Sequence, residues 1–368
     1  MSFPKRLDWS GLRVFPLAER KSLTRIEDVL IRPEGPAPEL AASARSQVES
    51  CAADVARARQ RGSGVVLMYG AHLLRNGAAL VLERMMASGW LTHVATNGAG
   101  TIHDWEYSWL GRSTESVEKN VATGTFGAWE ETGRWLQVAL MAGALRGDGY
   151  GVSLGRFITE DGVQLPEAEE LAEAIRQRPE DDLTAARADL LTAMRRHGVS
   201  GGRVHVEHRW KEASILAQAY RHGIPATVHP GIGYDIIANH PMFNGAVVGR
   251  AAGLDFRLMG DSVETLEGGV LLSVGSAIMA PQVFEKSLSC VNNLRLAAGR
   301  GTVKDLSIYV VDLQDGGHWD WSQGEPPKSN AAYYLRFCKS FSRMGGKMHY
   351  VQCDNMAFVH GLYGALKG

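Results

Sequence analysis

The segment from Thr92 to Gly133, THVATNGAGTIHDWEYSWLGRSTESVEKNVATGTFGAWEETG, sets ionisable side chains directly behind a small, glycine-rich turn. Thr96, Asn97, Gly98, Ala99 and Gly100 form the turn, and His103, Asp104 and Glu106 follow it. An imidazole titrates near neutral pH, so His103 is suited to accept a proton. Carboxylates at 104 and 106 could orient that ring or hold a cationic group. Other short apolar runs end in the same way. GVVLMY is followed by Gly70-Ala71-His72, and ATVH by Pro230, Gly231, Gly233, Asp235, Asn239 and His240. GVLLSV is followed by Gly275 and Ser276, and LSIYVV by Asp312. If these runs are parallel strands, their polar and small residues collect at one sheet edge, where open α/β sheets bind ligands. The reading takes His103 or His240 as proton acceptor, with Asp104, Glu106 and Asp235 as the acids that hold or orient.

Each motif also has an ordinary structural explanation. Tight turns need glycine for positive φ, Asp235 could cap a helix, and His240 precedes a proline. His103 and Asp104 could satisfy helix-terminal donors. His205-Val206-Glu207-His208 suggests a metal, but a strand there points His205 and Glu207 to opposite faces, and the helical i, i+4 spacing is absent. No metal is therefore assigned, and a set of His103, His229 and His240 is kept as an alternative. His318-Trp319-Asp320-Trp321 could be a subunit contact or an aromatic and acidic wall for a cation, and Tyr333 raises the same question.

The elements that must position these residues alternate regularly. Strands are expected at 64–69, 91–96, 203–206, 226–229, 269–274, 306–311 and 348–352. Helices are expected at 49–61, 72–88, 127–144, 166–178, 183–197, 211–222, 281–298, 328–342 and 355–366, with a glycine-rich break at 147–155. Short apolar strands separated by helices predict an α/β fold, a Rossmann-like, doubly wound and mostly parallel sheet. Residues 1–45 read as an arm and linker, and 46–368 as one large domain.

The balance of 39 basic and 40 acidic residues, net charge −1, gives no footprint of a nucleic-acid binder. No apolar run approaches membrane-spanning length, and the N-terminal residues lack the apolar core of a secretory signal. Four scattered cysteines without a CxxC pair fit a reducing cytoplasm.

VVLMYGAHLLRNG, VATNGAGTIHD, IPATVHPGIGYDI, GGVLLSVGSAIM and CDNMAFVHGL, in this order, resemble the deoxyhypusine synthase family, from about Val65 to Leu366. The closest likeness is to its uncharacterised bacterial branch. The resemblance implies a Rossmann-like fold, NAD as cofactor, a polyamine-like substrate and a homotetramer with active sites between subunits. It places Thr96, Asn97, Gly98 and Ala99 on the NAD-contacting turn, and His72 on a polar cofactor contact. Gly275 and Ser276 fall in a glycine triplet against the cofactor, and Asp354 on an acid near the adenosine end. Asp235 falls on an acid that holds the polyamine, and His103 and Asp104 on or beside an acidic pair. Asp312 joins the cofactor set, and Glu106, His229, Trp319 and Tyr333 the substrate set.

Two departures change the implied chemistry. Where the family has Lys-His-His this chain has Ile278-Met279-Ala280-Pro281, and where it has Trp-Gly-Lys this chain reads Ser329 to Arg336 without a lysine. Arginine stays protonated and cannot form the family's imine. The expectation is an NAD-dependent enzyme that abstracts hydride from a small amine-containing substrate without that lysine, followed by transfer, elimination or re-reduction. The alternatives are authentic deoxyhypusine or homospermidine synthesis through Lys328 or Lys339, NAD binding without catalysis, and a metal-dependent hydrolase or lyase.

Overall fold

A computed structural model describes residues 4, 5, 7–9 and 11–368; the other residues of the N-terminal arm lie outside the described set. Six strands, all parallel, form the central sheet: β1 (Val65–Tyr69), β2 (His93–Thr96), β3 (Ala226–Val228), β4 (Val270–Val274), β5 (Ser307–Asp312) and β6 (Lys347–Gln352). Their order across the sheet is β3-β2-β1-β4-β5-β6. This is the strand order of a doubly wound dinucleotide-binding fold, with the winding reversing between β1 and β4. Every residue of β1, β2, β3 and β4 is buried. Such continuous apolar runs are what a sheet covered on both faces requires.

Alternate residues serve the two faces. Val65, Leu67, Tyr69, Val94, Leu272 and Val274 join the core made with helices Ala42–Gln60, Ala79–Ala87, Gly98–Leu110 and Asn355–Lys367. Val66, Met68, Ala95, Leu271, Ile308 and Val310 join the core on the other face, with helices Gly245–Glu264, Met279–Ala297 and Arg336–Ser342.

Three expectations are corrected. The glycine-rich stretch 147–155 is largely the helix Tyr150–Thr159. Its glycines permit close packing: a Cβ at Gly151 would fall on the Ala226 carbonyl, and one at Gly155 on the Leu216 carbonyl. The strand expected at 203–206 is Gly202–His205, which pairs with Gly162–Leu165 in a separate antiparallel ribbon. It therefore does not bring His205 to the main sheet edge. Gly98–Leu110 is a helix, so His103 and Glu106, three residues apart, share one side of it while Asp104 points away from them.

A buried carboxylate fixes β3. Asp255 Oδ2 accepts from Val228 N at 2.7 Å and from Gly151 N at 3.0 Å, tying the start of helix Tyr150–Thr159 to the strand. Burial lifts its pKa to about 7. Asp255→Ala leaves two buried N–H groups without acceptors. It is expected to lower stability by about 2–4 kcal/mol, read as a lower urea midpoint with an unchanged slope.

Candidate functional site

The strand register builds the site. Tyr69 pairs with Thr96 and Val274, and Thr96 with Val228. The next residue of each strand, Gly70, Asn97, His229 and Gly275, therefore forms a row along the carboxyl edge. At the reversal the two glycines touch: a Cβ on Gly70 would overlap the Gly275 carbonyl. Gly275 has φ +60°, and a Cβ there would strike the Asn355 amide. Asn355 is buried, and its Oδ1 has no hydrogen-bond partner among the described residues. Both glycines are thus demanded by close packing at the reversal, and the unsatisfied Asn355 Oδ1 beside them is the polar atom left for a ligand.

Beside this lies the turn after β2. Thr96 Oγ donates to Tyr69 O at 3.1 Å, and Asn97 Oδ1 accepts from Gly100 N at 2.9 Å as the helix cap. Both side chains thus shape the turn. Gly98 opens the helix, and a Cβ there would overlap the Asp235 carboxylate. Asp235 lies 6% exposed, and its Oδ2 accepts from Gly231 N at 2.7 Å. Burial raises its pKa to about 6, and the Gly231 bond works against that rise. The adjacent helix N-terminus favours the charged form. Ala99 lies half-buried in the first turn of the same helix, and His72 is exposed just beyond β1. Ser276 Oγ accepts from Ala280 N at 3.3 Å.

His103 projects from the helix toward the N-terminal arm. Its Nδ1 lies 2.7 Å from Ser113 Oγ, which donates to Glu106 Oε2 at 2.6 Å. Because the serine proton goes to Glu106, Ser113 accepts from His103 Nδ1–H. The imidazole is thereby held as one tautomer, with Nε2 as its lone-pair atom and no protein partner on it among the described residues. Burial lowers the His103 pKa to about 4, partly countered by Glu106; Arg75, Arg20 and His72 lower it further. Thr114, next to Ser113, has φ 63°. A β-branched residue in the left-handed region costs on the order of 1–3 kcal/mol. Its hydroxyl lies 3.0 Å from Thr24 Oγ1, within an antiparallel pairing of Thr24–Arg25 with Arg112–Ser113.

Several expected site residues have other work. Glu106 is fully engaged: the Arg20 guanidinium binds both oxygens at 2.7 and 2.8 Å, Thr132 donates at 3.0 Å, and Ser113 completes the set. It cannot also hold a substrate. Asp104 is buried and turned away, accepting the Ser214 hydroxyl and Ile215 N, the latter at 2.7 Å, as a cap for helix Ile215–Arg221. Burial lifts its pKa to about 7. His240 is withdrawn as proton acceptor: Nδ1 accepts from Met242 N at 3.1 Å, Nε2 faces Glu130 at 3.2 Å, and the ring packs on Gly133. Asp354 Oδ1 caps helix Asn355–Lys367, and Asp312 Oδ1 accepts from Gln314 N.

Trp319 and Tyr333 belong to the opposite end of the sheet. Trp319, His349, Tyr350 and Gln352 line a cavity of about 620 Å³ along edge strand β6. Tyr333 is covered by Lys339, whose Nζ lies 3.3 Å from the ring centroid. Among the described residues no group of three or more His, Cys, Asp or Glu could hold a metal, which removes the His103, His229 and His240 alternative. The sequence reading missed Arg20, Ser113 and Asn355. Only Asn355, beside Asp354 in the CDNMAFVHGL match, carried a signal.

No protein-family model matches the chain, and no curated protein matches it. Among solved structures, the ternary complex of AgrE with ornithine and NAD+ is 13% identical, with a TM-score of 0.43 over 89% of this chain and 34% of that one. ArgZ, an arginine dihydrolase from the ornithine-ammonia cycle in cyanobacteria, is 12% identical, with a TM-score of 0.43 over 89% and 32%. A putative LOR/SDH protein from Methanococcus maripaludis S2 is 13% identical, with a TM-score of 0.41 over 96% and 74%. The chain spans about a third of the length of the first two.

The Glu106 cluster makes a direct prediction. Arg20→Met strands a buried carboxylate and is expected to cost about 3–5 kcal/mol, measured by denaturant unfolding. Salt should not rescue it, because a buried pair is poorly screened.

Proposed function

We propose that this chain is an NAD-dependent enzyme acting on a small amine-containing substrate by hydride abstraction. The observation that carries the reading is the close approach of Gly70 and Gly275 at the reversal between β1 and β4, beside the unsatisfied amide of Asn355. These residues fit a dinucleotide: they stand where the winding of the sheet reverses, and among the described residues Asn355 Oδ1 is an acceptor that no protein group uses. Gly70, Gly275, Ser276 and Asn355 would hold it, with His72 and the turn at Asn97–Ala99 along its rim. NAD, when bound, supplies the hydride acceptor. Asp354 and Asp312 act through the turns they cap.

The chain's own residues do the rest. Asp235 is the acid placed to hold an ammonium group, because it is buried yet, among the described residues, has one protein donor on it. An amine must lose a proton before its α-carbon gives up hydride readily, and His103 Nε2 is the free base for that proton. Ser113 and Glu106 keep His103 in the required tautomer, and Arg20, bonded to both carboxylate oxygens, holds Glu106 in place. The finer reading, a deoxyhypusine-synthase-like enzyme lacking the imine-forming lysine, rests on the sequence resemblance. A homotetramer with sites between subunits is part of that reading. The departures at Ile278–Pro281 and Ser329–Arg336 favour elimination or re-reduction over transfer through a protein lysine.

Calorimetry with NAD alone tests the cofactor site. Binding is expected for the full chain, with at least a tenfold loss in Asn355→Leu and a preserved circular dichroism spectrum. No binding at millimolar NAD removes the reading. For the substrate, Asp235→Asn should raise KM for a diamine by about 10- to 100-fold, or about 1.4–2.7 kcal/mol, with NAD affinity unchanged. The Asp235 carboxylate forms as pH rises through about 6, so amine affinity should strengthen across that point and level off above it. A flat profile between pH 5 and 8 would exclude Asp235 as the amine's counter-ion.

A further inference from the structure

A second set of polar groups crosses the other face of the sheet, and the site above does not use it. His93, on β2, is fully buried, yet neither ring nitrogen meets the backbone. Nδ1 lies 2.7 Å from Ser262 Oγ on helix Gly245–Glu264, and Nε2 lies 2.8 Å from Thr227 Oγ1 on β3. Thr227 Oγ1 is in turn 3.1 Å from His229 Nε2. His229 stands in the edge row beyond β3, and among the described residues its Nδ1 has no partner. At the far end Ser262 retains 8% exposure.

We propose that His229, Thr227, His93 and Ser262 form a proton relay that carries a proton from the crevice through the sheet face to the helix side. The chain has two neutral arrangements. In the first, His229 Nε2–H donates to Thr227, the Thr227 hydroxyl donates to His93 Nε2, and His93 Nδ1–H donates to Ser262. A proton that arrives on His229 Nδ1 moves the one on Nε2 to Thr227 Oγ1. The Thr227 proton passes to His93 Nε2, the His93 Nδ1 proton to Ser262 Oγ, and the original Ser262 proton leaves. One proton enters, one leaves, and every hydrogen bond is remade in the reverse direction.

Two physical points favour a relay over simple mutual satisfaction. An imidazole in an apolar core needs two partners, and a methyl-bearing side chain at 93 would need none. Here the partners are two rotatable hydroxyls, the groups able both to donate and to accept. The charged alternative is closed off. Burial, aided at His93 by the neighbouring ring of His229, pushes the His93 pKa to about 3 and that of His229 to about 4. A concerted shift between neutral forms avoids an imidazolium in the core. As an outlet for the proton released in amine oxidation, the relay rests on the proposed function; as a coupled hydrogen-bond chain it does not.

The test uses ¹⁵N-histidine-labelled full-length protein and the ring-nitrogen shifts that report tautomer. Ser262→Ala is expected to change the tautomer ratio of His229, although the two side chains do not touch. Thr227→Val, which keeps the shape and removes the hydroxyl, should abolish that effect, so that adding Ser262→Ala leaves His229 unmoved. Thr227→Ser should restore it. If Ser262→Ala leaves the His229 signals unchanged in an otherwise wild-type chain, or if its effect persists in Thr227→Val, there is no relay. These outcomes are read without NAD or substrate, so they stand apart from the calorimetric test of the cofactor site.

Discussion

The Glu106 carboxylate is the group around which this half of the molecule is arranged. It lies fully buried and accepts from Arg20 of the N-terminal arm, Ser113 of the short ribbon and Thr132 of helix Glu130–Ala144. A buried ionised carboxylate is tolerable only when its lone pairs are filled by well-placed donors. Here the four donors come from three separate segments, so satisfying one charge fixes the mutual position of three pieces of chain. His103 inherits that order: its tautomer follows from the direction of the Ser113 hydroxyl, which follows from Glu106. The left-handed Thr114, next to Ser113, is held by Thr24 and by Leu23 N, which donates to its carbonyl.

The two polar clusters differ in kind. Glu106 and its donors are anchored by an ion pair, which fixes their directions. His229, Thr227 and His93 are joined through a rotatable hydroxyl, with no ion pair among them. An ion-paired cluster suits the holding of a geometry, and a hydroxyl-linked one suits the proposed movement of a proton.

The sheet was legible in the sequence because most of its strands are short, largely apolar runs with small or polar residues behind them, a pattern that burial on both faces imposes. Gly70 and Gly275 were expected directly behind their strands and stand in the edge row, which His229, read as the last residue of its strand, also joins. Directions around a helix were not legible. His103, Asp104 and Glu106 looked like one constellation, yet neighbouring helical residues point about 100° apart: His103 and Glu106 meet at Ser113, while Asp104 turns to Ser214 and Ile215. Glycines at 151 and 155 misled for a related reason: a helix that needs close packing and a loop that needs freedom use the same residue. Arg20 could not be found at all, since one arginine in an arm of mixed charge has no local pattern to mark it.

The contacts that complete the site join distant parts of the chain. Arg20 and Glu106 are 86 residues apart, and His93 and Ser262 are 169 apart. Contacts of such separation carry the entropy of closing long loops and form after local helices and neighbouring strands. The central pairing of the sheet, Val65 with Val270, joins residues farther apart still, so sheet and site both depend on closing long loops. The site is a property of the whole chain, and no short stretch of it contains both polar clusters.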